Sequence, residues 1–539
     1  MKRRLLVMLL ACACVVGCRG SSAVTPSAPS VAPMMQGAQG MQGGGDARQR
    51  VSPDTNVNEL PEPPVVKAVN GVATVELIAN VNPATGLPAF QYDGVHGVAP
   101  TIELKPGQKF VIDLSNQLLP AGKASLMNLH FHGLGSAPKI PGDDVLGVES
   151  KPGQMLHYEV KIPANQPPGL YWYHPHIHGE TSYQVGEGGM SGAILVDGLE
   201  KHIPALAKMR QRIVIVRATG VGINAAPNGD DMDDMGGMPM PSATVRPQNS
   251  NSHPCHFNDH LTVTLNGAYE PVITIAPGEK QFIRLINATG HKPLYLNVQG
   301  GTIQLVAVDG YALDTYPGTP TTETMTNLLV PVAGRAEFII TGAKSGHTRL
   351  RSLCYNTGPN GDPDVAVFLA HMQAGSTSSH RGYFSNQPLT VGAPLPQNAY
   401  TRSLPAPAAK RLVVFSEDSK PHFFLNGKSF HMNSPPMFVV HTGTVELWHL
   451  VNVTQEDHDF HIHQLHFLVL KKNGVPLKHP YWADSVQLPH RYYAGTKFVD
   501  GSIDALMNFM DPIIKGEFLF HCHIMDHEDE GMMAKIEAI

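Results

Sequence analysis

Charge is scarce in this chain. Only 16% of its 539 residues are Asp, Glu, Lys or Arg, and the formal net charge is -6. A nucleic-acid binder would carry a basic surplus, and a long disordered polyelectrolyte would carry far more charge of one sign; both are excluded. Helical periodicity is hard to find anywhere. Beyond the first 18 residues no stretch is long and apolar enough to span a bilayer as a helix. There are only six cysteines, against 28 histidines. Hydrophobic residues, at 42%, suffice for sizeable cores, and 52 glycines with 45 prolines point to a turn-rich all-β chain. The length suits three or four domains.

The amino terminus reads as an address. Lys2, Arg3 and Arg4 precede an apolar run from Leu5 to Gly17, which ends Val15-Val16-Gly17-Cys18. This resembles a bacterial lipoprotein signal cut before Cys18, with Cys12 and Cys14 as weaker candidates and an ordinary secretory signal as the alternative. Residues 1–18 are therefore expected to direct export to the periplasm or an outer-membrane anchor. Residues 19–59, rich in Ser, Pro, Gly, Gln and Met, are expected to be a tether.

An internal repeat sets the architecture. Asp93-Gly94, Pro106-Gly107 and Asn116 recur as Asn266-Gly267, Pro277-Gly278 and Asn287, and again as Asn426-Gly427, Thr442-Gly443 and Asn452. The second glycine and the asparagine are nine residues apart each time, and those glycines are separated by 171 and 165 residues. So long a period means repeated domains, not a solenoid. Alternating runs such as Thr101-Ile102-Glu103-Leu104 read as strands. The expectation is three β-sandwich domains, at roughly 60–200, 201–390 and 391–539.

Four histidine clusters carry the chemistry. They are His130-Phe131-His132, His174-Pro175-His176, His458-Asp459-Phe460-His461-Ile462-His463, and His521-Cys522-His523 followed by His527 and Met532. On a strand, residues two apart face one side, so each His-x-His pair offers two imidazoles to one point. Four pairs give eight imidazoles, enough for several metal ions. Cys522 faces away from its flanking histidines. With His458, His527 and a weak axial Met532 it completes the ligand set of a blue-copper site. An electron accepted at Cys522 can leave through His521 or His523.

These clusters, their order and the repeat resemble the multicopper oxidases, the laccase-like enzymes, from about residue 65 to the end. The closing segment from His521 to Met533 is most similar to bacterial copper-efflux oxidases and spore-coat laccases. The resemblance implies three cupredoxin-like Greek-key domains and four coppers per chain. It implies type 1 copper on His458, Cys522, His527 and Met532, and type 2 copper on His130 and His461. The type 3 pair falls on His132, His174, His176, His463, His521 and His523. Two departures remove no ligand: Asp459 stands where many members have proline, and Phe131 where tryptophan is common. His178 and His466 exceed the ligand count and are expected to be structural. Glu528, and Asp143 with Asp144 as rival, are the candidate proton-relay acids, since reducing O2 to two waters consumes four protons.

Looser features are the Met/Asp-rich segment 230–240, which offers thioethers to Cu(I), and His253, Cys255 and His256, better taken as a loop. Cys255 and Cys354 are candidates for a disulfide. The expected activity is oxidation of a small reductant, a phenol or aromatic amine, coupled to O2 reduction, with Cu(I) as the alternative substrate. A monomer is expected, with no nucleic acid and no membrane contact beyond a lipid anchor. A two-domain nitrite reductase is disfavoured by the eight paired histidines. A non-catalytic copper lipoprotein is disfavoured because no imidazole is missing.

Overall fold

The computed structural model describes residues 58–120, 122, 124–218, 262–362, 364–374, 382–395, 403–418 and 422–539. The leader, almost all of the expected tether, the 230–240 segment and His253, Cys255 and His256 lie outside these residues. No helix among the described residues is long and apolar enough to cross a membrane.

The described strands pair into three face-to-face sandwiches. The first joins the sheet holding Val65–Lys67, Thr101–Leu104, Gly192–Val196, Gly169–His174 and His130–His132 to the sheet built on Val72–Val81 and Lys109–Asn116. Its core interleaves Val75, Leu77, Phe110, Ile112 and Ile194, all fully buried. A second core centres on Val214, Ile283 and Phe338, and a third on Trp448, Phe460 and Phe520. Strand alternation produces them: Lys109–Asn116 and Met155–Lys161 turn every second residue inward.

The sequence repeat has a physical basis. In each sandwich a strand runs parallel to a second, Val72–Val81 beside Lys109–Asn116, Arg210–Ala218 beside Lys280–Asn287, and Ala409–Glu417 beside Thr444–Asn452. The Asp-Gly or Asn-Gly pair between them takes positive φ at both positions, for example 51° at Asn266 and 84° at Gly267. Asn, Asp and Gly tolerate that conformation best. Each terminal asparagine is fully buried and ties down the loop that follows. Asn116 donates to Ser125 and Ser150 carbonyls, Asn287 to Lys292, Val330 and Pro331, and Asn452 to Glu456 and Leu488.

At the expected junction of tether and first domain, Glu59 bridges Val272, and Leu60 is buried in the second core. Glu59 and Glu62 pair with Arg212. These residues lie along the second sandwich, because its buried arginine supplies the countercharge. Cys354 is disulfide-bonded, while Cys522 is free and buried.

Candidate metal centre

Two strand pairs bring the histidines together. His130 pairs with His174 across one ladder, and His461 with His521 across another. The rings of the two sandwiches then interleave: His130 stacks on His463 with centroids 3.7 Å apart, and His132 on His461 at 3.8 Å. All eight imidazoles of the expected cluster are within 2% of full burial. Only His130 and His132 lie wholly within one strand. Pro175 ends its strand after His174, and Cys522 is the last residue of another. The period-2 argument thus holds strictly for one pair; the others converge because the chain bends at the strand end.

The ring tautomers are set from outside. His130 Nδ1 donates to the Asp143 carboxylate at 3.0 Å, and His132 Nε2 to Asp484 at 3.1 Å. His174, His461 and His521 spend Nδ1 on the carbonyls of Pro175, Asp484 and Cys522. The opposite nitrogens of His130, His132, His174 and His461 are buried without any hydrogen-bond partner, as are Nδ1 of His463 and both ring nitrogens of His523. Nε2 of His521 sits 3.3 Å from that of His176 and 3.2 Å from that of His463. Lone pairs so crowded repel unless a cation lies among them. Burial, then the neighbouring imidazoles, hold His130 and His463 well below the ordinary value, so they are neutral near pH 7. Neutral buried imidazoles with lone pairs turned inward fit copper ions.

The second group is His458, Cys522 and His527. Cys522 Sγ is 3.7 Å from Nδ1 of each histidine, and those nitrogens are 3.1 Å apart. Met532 is buried in the same core cluster as Cys522 and is backbone-bonded to both Cys522 and His527. Met533 turns to a different cluster with Phe430 and Leu519. Of His458, Cys522 and His527, only His527 reaches the surface, at 9% exposure. The thiol, pushed up by burial, is stabilised as a thiolate only beside a cation.

The two acids differ in surroundings. Asp143 is saturated: besides His130 it accepts from Phe131 N and Gln464 Nε2, and burial pushes it up to about 8. Its rival Asp144 turns outward and caps Gly147 N. Glu528 is fully buried, 3.1 Å from His521 Nδ1 and 3.5 Å from His176 Nε2, with neither oxygen in a hydrogen bond. His466 Nε2 bonds the Asp309 carbonyl at 2.9 Å and lies 3.1 Å from the Asp484 carboxylate, whereas His178 packs its ring on Phe430.

Sequence reasoning missed the support from the middle sandwich. Arg335, fully buried, grips the Asp484 carboxylate with both terminal nitrogens, and Asp484 holds His132 and His461. Asp309 accepts from the backbone N–H groups of Arg335, Asp484 and Ser485. Gly133, at φ 83°, leaves room: a Cβ there would lie 2.5 Å from Arg335 and 2.6 Å from Asp484. No local motif marks Arg335 or Asp484, since they are 149 residues apart.

A donor set of imidazoles and one thiolate, buried between all-β sandwiches, defines a protein of borderline-soft transition metals rather than of calcium or magnesium. The chain belongs to the multicopper oxidase family, whose sequence models match residues 84–201, 224–348 and 403–538, and it is an oxidoreductase. It is 24% identical over 453 residues to the multicopper oxidase mco of Staphylococcus haemolyticus, covering 82% of each chain. It is 23% identical over 397 residues to a laccase of Bacillus subtilis, covering 71% of this chain and 72% of that one. Its fold is similar to a multicopper oxidase of Campylobacter jejuni, described as a metallo-oxidase, with a TM-score of 0.67, 23% identity and coverage of 90% and 96%. The architecture is three-domain and cupredoxin-like, as expected.

Proposed function

We propose that the protein oxidises a phenol or aromatic amine one electron at a time at His458, Cys522, His527 and Met532, and passes four electrons to O2 at the eight-histidine cluster. Four coppers per chain, one type 1, one type 2 and two type 3, would supply the one-electron steps and the reduction of O2 to two waters. His130 and His461 would hold the type 2 ion, and His132, His174, His176, His463, His521 and His523 the type 3 pair. The observation that carries this reading is the covalent continuity of His521, Cys522 and His523: the thiolate group and the cluster share one strand end. Asp143, by accepting the His130 Nδ1 proton, keeps Nε2 free for metal. Glu528, with both oxygens unbonded, is suited to take protons and release them at the His521 and His176 side. Export behind residues 1–18 would place this chemistry outside the cytoplasm.

A second reading has Cu(I) as reductant. Glu456 Oε1 lies 3.5 Å from His527 Nε2, and Glu417 is hydrogen-bonded to Glu456. Hydrogen-bonded to each other, the two acids share a proton and keep one negative charge beside His527, which can attract a cation. The Bacillus laccase favours the first reading, and the Campylobacter metallo-oxidase favours the second. Steady-state kinetics of the copper-loaded protein and of Glu456→Gln, with a phenol and with Cu(I), separates them. The phenol reading expects phenol to be the better substrate and the variant to leave its kcat/KM unchanged. Copper analysis giving one or two ions per chain would defeat both.

A further inference from the structure

The middle sandwich gives no imidazole to the metal centre, yet two of its histidines meet on its outer face. Strands His347–Leu353 and Val367–Gln373 run antiparallel, with His347 opposite Gln373 and Arg349 opposite His371. The alternate residues Leu350, Ala370 and Met372 fill the sandwich core. His347 and His371 therefore share the other face as diagonal neighbours. Their ring centroids are 6.0 Å apart; His347 is exposed and His371 half-buried. A third donor comes from the adjoining turn. His371 N donates to the Pro271 carbonyl at 2.9 Å, and the preceding residue, Glu270, places its carboxylate 3.2 Å from His371 Nε2.

Glu270 holds a backbone conformation its type does not favour. Three residues after the turn glycine the first sandwich has Gly97, at φ 74°, and the middle one has Glu270, at φ 39°. Glycine enters this left-handed region freely, a residue with a Cβ does so under strain, and a residue before proline is ordinarily extended. The middle sandwich thus keeps a strained carboxylate where the repeat offers glycine. Arg349, the cation opposite His371, is drawn away along the strands. Its guanidinium lies over the Phe368 ring, 4.2 Å from the centroid, at the end remote from His347.

We propose that His347, His371 and Glu270 bind a divalent ion of the Zn(II) or Cu(II) class, at a site separate from the eight-histidine cluster and the Cys522 group. Two imidazoles and a carboxylate suit zinc and copper, and three protein ligands leave a position for water. A plain ion pair of His371 with Glu270 would need no second imidazole beside it.

The test is equilibrium dialysis of the full copper-loaded chain against Zn(II), with zinc and copper measured on the same samples. The wild type should take up one saturable Zn(II) per chain without losing copper. His347→Gln, His371→Gln and Glu270→Gln should each raise the Kd at least roughly tenfold. His347 is exposed at a strand end, so its replacement does not endanger folding. His157→Gln removes another exposed histidine, paired with Asp113, and should leave zinc binding unchanged. Unchanged affinity in either the His347 or the His371 variant would overturn the proposal. So would the absence of saturable zinc in the wild type, or one copper lost for each zinc gained.

Discussion

Single side chains here do work that their type alone does not announce. Asp143 and Asp484 are buried carboxylates that hold imidazoles in the tautomer a metal needs. Glu528 instead lies against His521 and His176 with neither oxygen in a hydrogen bond, the feature behind its proposed relay role. Cys522→Ser should abolish the charge-transfer band and depress turnover beyond the roughly 10–100-fold expected of a change that only supports a ligand. The copper count should fall by one, checked by absorption and metal analysis on the same sample. Met532→Leu should raise the potential, because a weak thioether donor to Cu(II) is lost. Potentiometry checks it, and an unmoved potential would take Met532 out of the axial position.

Elements are fixed by a few buried polar residues at their ends. Asn287 satisfies three carbonyls of the loops beside it and accepts from Thr289. Asn287→Ala strands those carbonyls in a dry site, where each unsatisfied group costs about 1–3 kcal/mol. A loss of roughly 3 kcal/mol by urea denaturation is expected. His202 closes a different junction. Its Nδ1 donates to Ala393 O and its Nε2 to Asp314, both at 2.9 Å, so both nitrogens must carry protons. The bond to Asp314 raises His202 above its ordinary 6.5, while that same bond lowers Asp314 below 3.8 against the effect of burial. The histidine's contribution to stability is therefore full below about pH 6.5 and fades as pH rises through the raised value. The aspartate's contribution is present above about pH 4 and fades in acid. His202→Asn should consequently lower Tm more at pH 5.5 than at pH 8.5, by calorimetry at both values. An equal loss would mean that His202 is neutral in the folded protein.

At the scale of the whole molecule, the metal centre is also a joint. His130, His132, His174 and His176 come from the first sandwich and the remaining cluster imidazoles from the third, while Arg335 braces them from the second. Ions bound there would stabilise the folded chain by mass action, since the unfolded chain has no such site. Copper-stripped protein should melt lower than loaded protein, with the gap growing as free copper rises, measured by thermal unfolding in matched buffers. Arg335→Gln leaves Asp484 buried without its countercharge, a loss of about 3–5 kcal/mol. Its copper content should fall in parallel, because Asp484 no longer holds His132 and His461 in place.

Much of this was legible along the chain. The nine-residue spacing from turn glycine to asparagine, the Asn-Gly turns and the alternating runs depend on local backbone preference, and local preference is written in consecutive residues. The His-x-His pairs and the His-Cys-His triplet were visible for the same reason: strand ends present neighbours in sequence as neighbours in space. The bracing of Asp484 by Arg335, the N–H of Asp459 on Cys522 and the clasp of His202 were not. Each joins residues from 63 to 191 positions apart, the bounds set by the Cys522 and His202 contacts. Such partners are chosen by how the sandwiches pack, where a buried charge or lone pair must find whatever counterpart the adjoining surface brings to it.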